Sequence, residues 1–229
     1  MRIGHIQKTS LIDYPGKICS IIFTQGCNFA CPYCHNPELV DPERFVEPLA
    51  EEEIFSFLKK RSKQIDAVVI TGGEPTIHSD LVDFMVTIKG LGYLIKLDTN
   101  GSNPGAIENI IEKGIVDYIA MDIKSIPDKY SETVRVPIDT DKILSSIHTI
   151  MGSHVPYEFR TTVSRSLISQ HDIIQIGHMI KGAQLYVLQN FVSSKHVDKT
   201  FINEKGFTTE ELSCLKKELD ALVAHCVVR

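Results

Sequence analysis

Three cysteines, Cys27, Cys31 and Cys34, fall within eight residues in the run Gly-Cys-Asn-Phe-Ala-Cys-Pro-Tyr-Cys-His-Asn-Pro. Thiolates at this spacing bind soft metals. A structural zinc ion or a complete ferredoxin cluster site takes four protein ligands, and no fourth cysteine is near. Three thiolates on a cubane [4Fe–4S] cluster leave one iron open to an outside ligand. A zinc knuckle completed by His35 is the bland alternative. Adjacent Cys34 and His35 chelate one ion awkwardly, and zinc explains nothing else in the chain.

A second set of polar residues lies scattered, each group following an apolar stretch: Gly72-Gly73-Glu74-Pro75, Asp98-Thr99-Asn100-Gly101, Asp122-Ile123-Lys124, Arg160-Thr161-Thr162 and Gln189-Asn190-Phe191. Glycines allow close backbone approach, so a Gly-Gly-Glu edge suits a ligand amine, met by carbonyls or by Glu74. Lys124 or Arg160 suits a carboxylate or sugar hydroxyls, and Asn100 a ribose. Together these groups fit a zwitterionic, nucleotide-like ligand whose amine and carboxylate chelate the open iron.

The elements that must position these groups alternate. Strands are expected at Ile18–Thr24, Ala67–Thr71, Leu94–Thr99, Tyr118–Ile123, Tyr157–Val163 and Leu185–Phe191, mostly near-continuous apolar runs. Helices are expected at Glu51–Ser62, at Ser79–Lys89 with Ser79 as N-cap, at Pro104–Lys113 ending at Gly114, at Asp141–Met151 and at Gln170–Lys181. A last helix, about Thr209–Ala224, opens with Thr208-x-x-Glu211, a capping-box pattern. Glu51-Glu52-Glu53 reads as a solvated first turn favoured by the helix dipole. The expected fold is α/β: an open partial (β/α)6 TIM-like barrel of parallel strands, with a doubly wound sheet as the alternative. In a barrel of parallel strands the chemistry lies at the C-terminal strand ends, where these polar groups fall. Pro15-Gly16 marks a turn, so the residues before the first strand should form a small hairpin or cap.

The chain has 229 residues, 43% hydrophobic and 23% charged, with a formal net charge of -5. One domain is expected over 1–229: a cap at 1–17, a core at about 18–191 and a C-terminal helix within 208–226. The acidic balance argues against nonspecific nucleic-acid binding. No apolar run reaches the roughly 18 residues of a membrane span, and the N-terminus lacks a signal-peptide core. Six cysteines, three of them clustered, suit a reducing cytoplasm better than a disulfide scaffold. Cys19 reads as a small buried hydrophobe, and Cys214 and Cys226 as core or surface thiols.

The cysteine trio followed by Gly-Gly-Glu-Pro resembles the signature of the radical S-adenosylmethionine (SAM) superfamily. Cys34-His35-Asn36-Pro37, Asp98-Thr99-Asn100-Gly101 and Met121-Asp122-Ile123-Lys124 resemble its glycyl-radical-enzyme activase branch. The segment Gln7–Lys17 is similar to one class of anaerobic ribonucleoside-triphosphate reductase activating proteins. The resemblance implies a [4Fe–4S] cluster on Cys27, Cys31 and Cys34, whose free iron chelates the methionyl amine and carboxylate of SAM. It implies amine contacts from Gly72, Gly73 and Glu74, and ribose or carboxylate contacts from Asn100, Lys124 and Arg160. Asp98 and Asp122, with Thr99, match positions that hold a monovalent cation in some activases.

The implied activity is that of an oxidoreductase. A low-potential donor such as flavodoxin or ferredoxin reduces the cluster, SAM is cleaved at S–C5′, and the 5′-deoxyadenosyl radical takes a glycine Cα hydrogen from a partner glycyl radical enzyme. Anaerobic ribonucleotide reductase is the expected partner. Phe191 stands where the pyruvate formate-lyase activator has a histidine, which argues against that partner. A small-molecule radical SAM enzyme like 7-carboxy-7-deazaguanine synthase is one alternative; a non-catalytic iron–sulfur electron carrier is another.

Overall fold

The computed structural model describes residues 1–193 and 197–229. Among these residues eight strands form one sheet in strict chain order, β1 to β8. They are β1 (Ile3–Ser10), β2 (Cys19–Thr24), β3 (Ala67–Gly72), β4 (Leu94–Thr99), β5 (Tyr118–Asp122), β6 (Tyr157–Val163), β7 (Tyr186–Asn190) and β8 (Cys226–Val228). Strand β1 is antiparallel to β2, and every later pair is parallel. Strand β8 does not pair with β1, so the barrel stays open. The order never reverses, which a doubly wound sheet requires.

Helices α1 (Glu51–Arg61), α2 (Leu81–Gly90), α3 (Pro104–Glu112), α4 (Pro127–Val134), α5 (Thr140–Gly152), α6 (Gln170–Met179) and α7 (Thr209–Leu219) fill the connections. Their apolar stripes and one face of the strands make the main core, including Ile22, Ile70, Leu97, Ile119 and Phe159 with Phe84, Ile107 and Ile147. The other strand face forms the barrel interior. Strand side chains alternate, so Lys96 and Asp98, then Asp122, then Glu158 and Arg160 share that inner face. Its floor is a small cluster of Tyr14, Cys19, Ile21, Ala67 and Val69.

The sequence expectations need four corrections. The N-terminal segment is a full edge strand, β1, and the hairpin turn lies at residues 11–18. Helix α2 starts two residues past Ser79; Asp80 holds the cap position, without a side-chain cap. Helix α4 and strand β8 went unforeseen, because one is two turns long and the other three residues. The last helix stops at Leu219 instead of running on toward Ala224, since the chain must turn to place Cys226 beside Tyr186. The capping box at Thr208 and Glu211 is present, and Gly114 takes the expected left-handed conformation (φ 62°). No helix among the described residues is long and apolar enough to cross a membrane.

Candidate active site

All twelve site residues expected from sequence line one cavity of about 290 Å³ at the C-terminal strand ends. Cys27, Cys31 and Cys34 form one wall, on the loop after β2. Gly72, Gly73 and Glu74 follow β3; Asp98, Thr99 and Asn100 end β4; Asp122 and Lys124 end β5; Arg160 comes from β6. Phe29, Tyr33, Thr162 and Gln189 complete the lining.

The glycine pair has a job inside the protein. Gly73 N–H donates to the Thr24 carbonyl (2.9 Å) and Glu74 N–H to the Gly26 carbonyl (2.8 Å), docking the β3 edge onto the cysteine loop. A Cβ on Gly73 would lie 1.9 Å from Gly26 O, and one on Gly72, whose φ is +119°, would lie 2.3 Å from Thr24 N. Only glycine permits that approach.

Glu74 is likewise committed to protein. Its Oε1 accepts from Thr76 N (3.1 Å), Thr76 Oγ1 (2.5 Å) and Thr99 Oγ1 (2.7 Å), and its Oε2 from Asn100 N (2.7 Å). Burial raises its carboxyl above the usual range, against the pull of these donors. The Glu74 carboxylate thus ties β3 to β4. Asn100 is also held: its Nδ2 donates to Asn28 Oδ1 (3.0 Å) and its Oδ1 accepts from Ser102 N (2.9 Å). Asn28, inside the cysteine motif, links the thiol loop to the end of β4, a role missed from sequence.

The acidic and basic groups form a chain. Strand register sets Asp122 directly beside Arg160. Arg160 Nε donates to Asp122 Oδ1 (2.7 Å) and its Nη1 to Asp98 Oδ2 (3.1 Å). Lys124 Nζ donates to Asp122 Oδ2 (3.0 Å) and sits 5.8 Å from the Tyr33 ring centroid. Burial alone would neutralise these groups. Against it, Arg160 and Lys124 hold the Asp122 carboxyl well below the ordinary carboxylate range, and Asp122 keeps both cations protonated above theirs. Thr99 Oγ1 is spent on Glu74. The spot expected for a monovalent cation at Asp98, Thr99 and Asp122 is thus spanned by a guanidinium, and no group of three or more metal-binding side chains occurs there or elsewhere among the described residues.

The three thiols share one wall of that cavity. A cluster takes one thiolate at each of three separate irons, and the donor set fits it. Burial pushes the Cys27 thiol up to about 12 and also raises Cys31 and Cys34. Free thiols are thus protonated at neutral pH and become strong ligands once metal displaces the proton.

A strand-ordered open barrel with a three-thiol wall beside a charged, glycine-edged pocket defines an iron–sulfur enzyme of the radical SAM type. The sequence profile of the Radical SAM superfamily matches residues 21–168, and the chain belongs to that family. Its cofactors are a [4Fe–4S] cluster and SAM, and it is an oxidoreductase of that type. Within the superfamily it falls in the glycyl-radical-enzyme activase branch. It is 34% identical, over 99% of this chain and 95% of the relative, to a Methanocaldococcus jannaschii protein named "Putative glycyl-radical enzyme activating enzyme". It is 32% identical to the pyruvate formate-lyase-activating enzyme of Clostridium pasteurianum, over 56% of this chain and 54% of that one. In fold it resembles SuiB of Streptococcus suis, solved bound to S-adenosylmethionine, with a TM-score of 0.71 at 13% identity over 91% of this chain and 49% of that one.

Proposed function

We propose that this chain activates a partner glycyl radical enzyme, an anaerobic ribonucleoside-triphosphate reductase, by cleaving SAM at a cluster held by Cys27, Cys31 and Cys34. The observation that carries the reading is the convergence of three thiols, a glycine edge and the Asp98–Arg160–Asp122–Lys124 chain on one cavity. Cys27, Cys31 and Cys34 would hold the cluster, which when bound and reduced would supply the electron for cleaving SAM to methionine and the 5′-deoxyadenosyl group that would end as 5′-deoxyadenosine with the glycine hydrogen.

The protein binds and orients. The carbonyls of the Gly72-Gly73 edge face the methionyl amine. Lys124 and Arg160, already held by Asp122, meet the carboxylate. Phe29 and Tyr33, both buried, keep water from the thiol wall. A flavodoxin or ferredoxin is the proposed donor. The Gln7–Lys17 segment supports the reductase as partner, and the relatives' names support the wider activase class.

The test is anaerobic EPR of the reduced, cluster-loaded protein with SAM and the reductase. A glycyl-radical doublet is expected on the reductase. SAM cleavage without a doublet would reject the partner. Retention of full iron loading and cleavage by all three Cys→Ala variants would reject the site.

A further inference from the structure

Lys96 lies in mid-strand β4 between the buried Ile95 and Leu97, and its side chain is 5% exposed. Its ammonium faces the barrel interior, where Nζ stands 3.0 Å from Asp98 Oδ1 and donates to the Asp13 backbone carbonyl at 2.8 Å. Asp98 Oδ1 has no hydrogen bond among the described residues, and Lys96 is the charge that balances it; Oδ2 belongs to Arg160. Asp13 sits in the β1–β2 loop, at the opposite end of the strands from the thiols. That loop inserts Tyr14 as the barrel floor, against Cys19, Ile21, Ala67 and Val69, with its ring 6.0 Å from that of Tyr118. Leu11 and Ile12 at its tip are exposed.

An unbroken line of contacts therefore runs through the barrel. It passes from the Asp13 carbonyl to Lys96, Asp98, Arg160, Asp122 and Lys124, with charges alternating from Lys96 on. Arg160 spends Nε and Nη1 on the two aspartates, and its Nη2 has no hydrogen-bond partner among the described residues. Without Lys96, Asp98 would keep a single counter-charge and draw Arg160 toward itself, and the Asp13 carbonyl would lose its donor. Breaking a buried ion pair on one side leaves the remaining charge uncompensated, so the remaining groups rearrange.

We propose that Lys96 is a positioning residue for the SAM pocket: it couples the β1–β2 loop to Asp98 and so holds Arg160 in the pose that receives the ligand carboxylate. The inference rests on the SAM-pocket reading above. It makes the loop at the far end of the barrel part of the ligand site, and by linkage the ligand must in turn steady the loop.

The test uses the full chain with its cluster reconstituted without air, as wild type, Lys96→Met and Lys96→Arg. SAM affinity is measured by equilibrium dialysis, and backbone hydrogen exchange of residues 11–17 is followed with and without SAM. The expected result is normal iron content in Lys96→Met but a SAM Kd raised about tenfold. Its cleavage rate at saturating SAM should stay within about twofold of wild type, since the loss is in binding. Lys96→Arg should recover most of the affinity. SAM should slow exchange of the loop in wild type and leave it unchanged in Lys96→Met. An unchanged Kd in Lys96→Met, or wild-type loop exchange indifferent to bound SAM, would overturn the proposal while leaving the pocket reading intact. Should Lys96→Met fail to fold, the Lys96→Arg affinity and the wild-type exchange experiment decide it alone. A cluster-loaded wild type that binds no SAM would instead remove the pocket reading, and this inference with it.

Discussion

At the scale of single residues, the site is built by atoms that are absent as much as by those present. Gly73 lets the Gly26 carbonyl reach the position a Cβ would take, which fixes the thiol loop against β3. Gly73→Ala should therefore lower the melting temperature, at a cost of about 1–3 kcal/mol for the forced shift. It should also reduce iron uptake, because the loop carrying Cys27 must move; colorimetric iron assay and a thermal melt check both. Thiol chemistry offers a second test. Cys214 is exposed, whereas Cys19 and Cys226 are buried and Cys27, Cys31 and Cys34 line the cavity. Burial also pushes the Cys226 thiol up to about 11, which slows its reaction further. Native, cluster-loaded protein should take one maleimide at Cys214, read by mass spectrometry of digested peptides. Removing the cluster should add label at the three site cysteines, and only unfolding should label Cys19 and Cys226.

At the scale of elements, helix ends and strand edges hold the frame that aims the site. Helix α6 opens on a capping box in which Ser169 Oγ accepts from Asp172 N and Asp172 accepts from Ser169 N (2.9 Å). Lys129 Nζ, from α4, donates to the same carboxylate at 2.8 Å. Burial works to raise the Asp172 carboxyl, but Lys129 and Ser169 outweigh it and hold it below the usual range. A depressed carboxylate stabilises the fold above its unfolded pKa, about 3.9, and loses that contribution as pH falls through the folded value. Asp172→Asn should cost about 1–2 kcal/mol at neutral pH. The difference from wild type should shrink as pH falls below about 4, where the unfolded chain takes up its proton first, and be lost once the folded carboxyl, held lower, is protonated too. Urea melts at several pH values measure it.

At the scale of the whole molecule, the open barrel ends on strand β8, and Arg229, just past it, reaches back inside. Arg229 Nη2 lies 3.2 Å from Oε2 of Glu158, a carboxylate 1% exposed on the inner face of β6. The other nearby cation, Arg160, stands 3.9 Å from its Oε1 and is engaged by both aspartates. Arg229→Met should leave Glu158 buried with only that distant cation and the Tyr118 hydroxyl (3.5 Å) facing it, and cost about 1–3 kcal/mol of stability. The same loss would pull Arg160 toward Glu158, so SAM affinity should fall along with the denaturant midpoint; a variant that melts earlier yet binds SAM as before would break this link.

Sequence by itself determined the thiol trio, the six inner parallel strands, five of the six helices between them and the convergence of polar groups at strand ends. These are local signals: spacing of ligands, apolar period, caps and turns, each written within a few neighbouring residues. Even Lys96 was legible in principle, as a charge two places before Asp98 on the same strand face. What only the tertiary structure decided is how those groups are spent. Glu74 is consumed by Thr76, Thr99 and Asn100, Arg160 bridges Asp98 and Asp122, and the Asp13 carbonyl meets Lys96 across 83 residues of chain. Strand β8 could not be foreseen either, since three residues carry no period and its existence depends on the free edge of β7. A hydrogen bond or ion pair is a matter of ångströms between distant segments, and a chain announces which groups it carries long before it shows which of them meet.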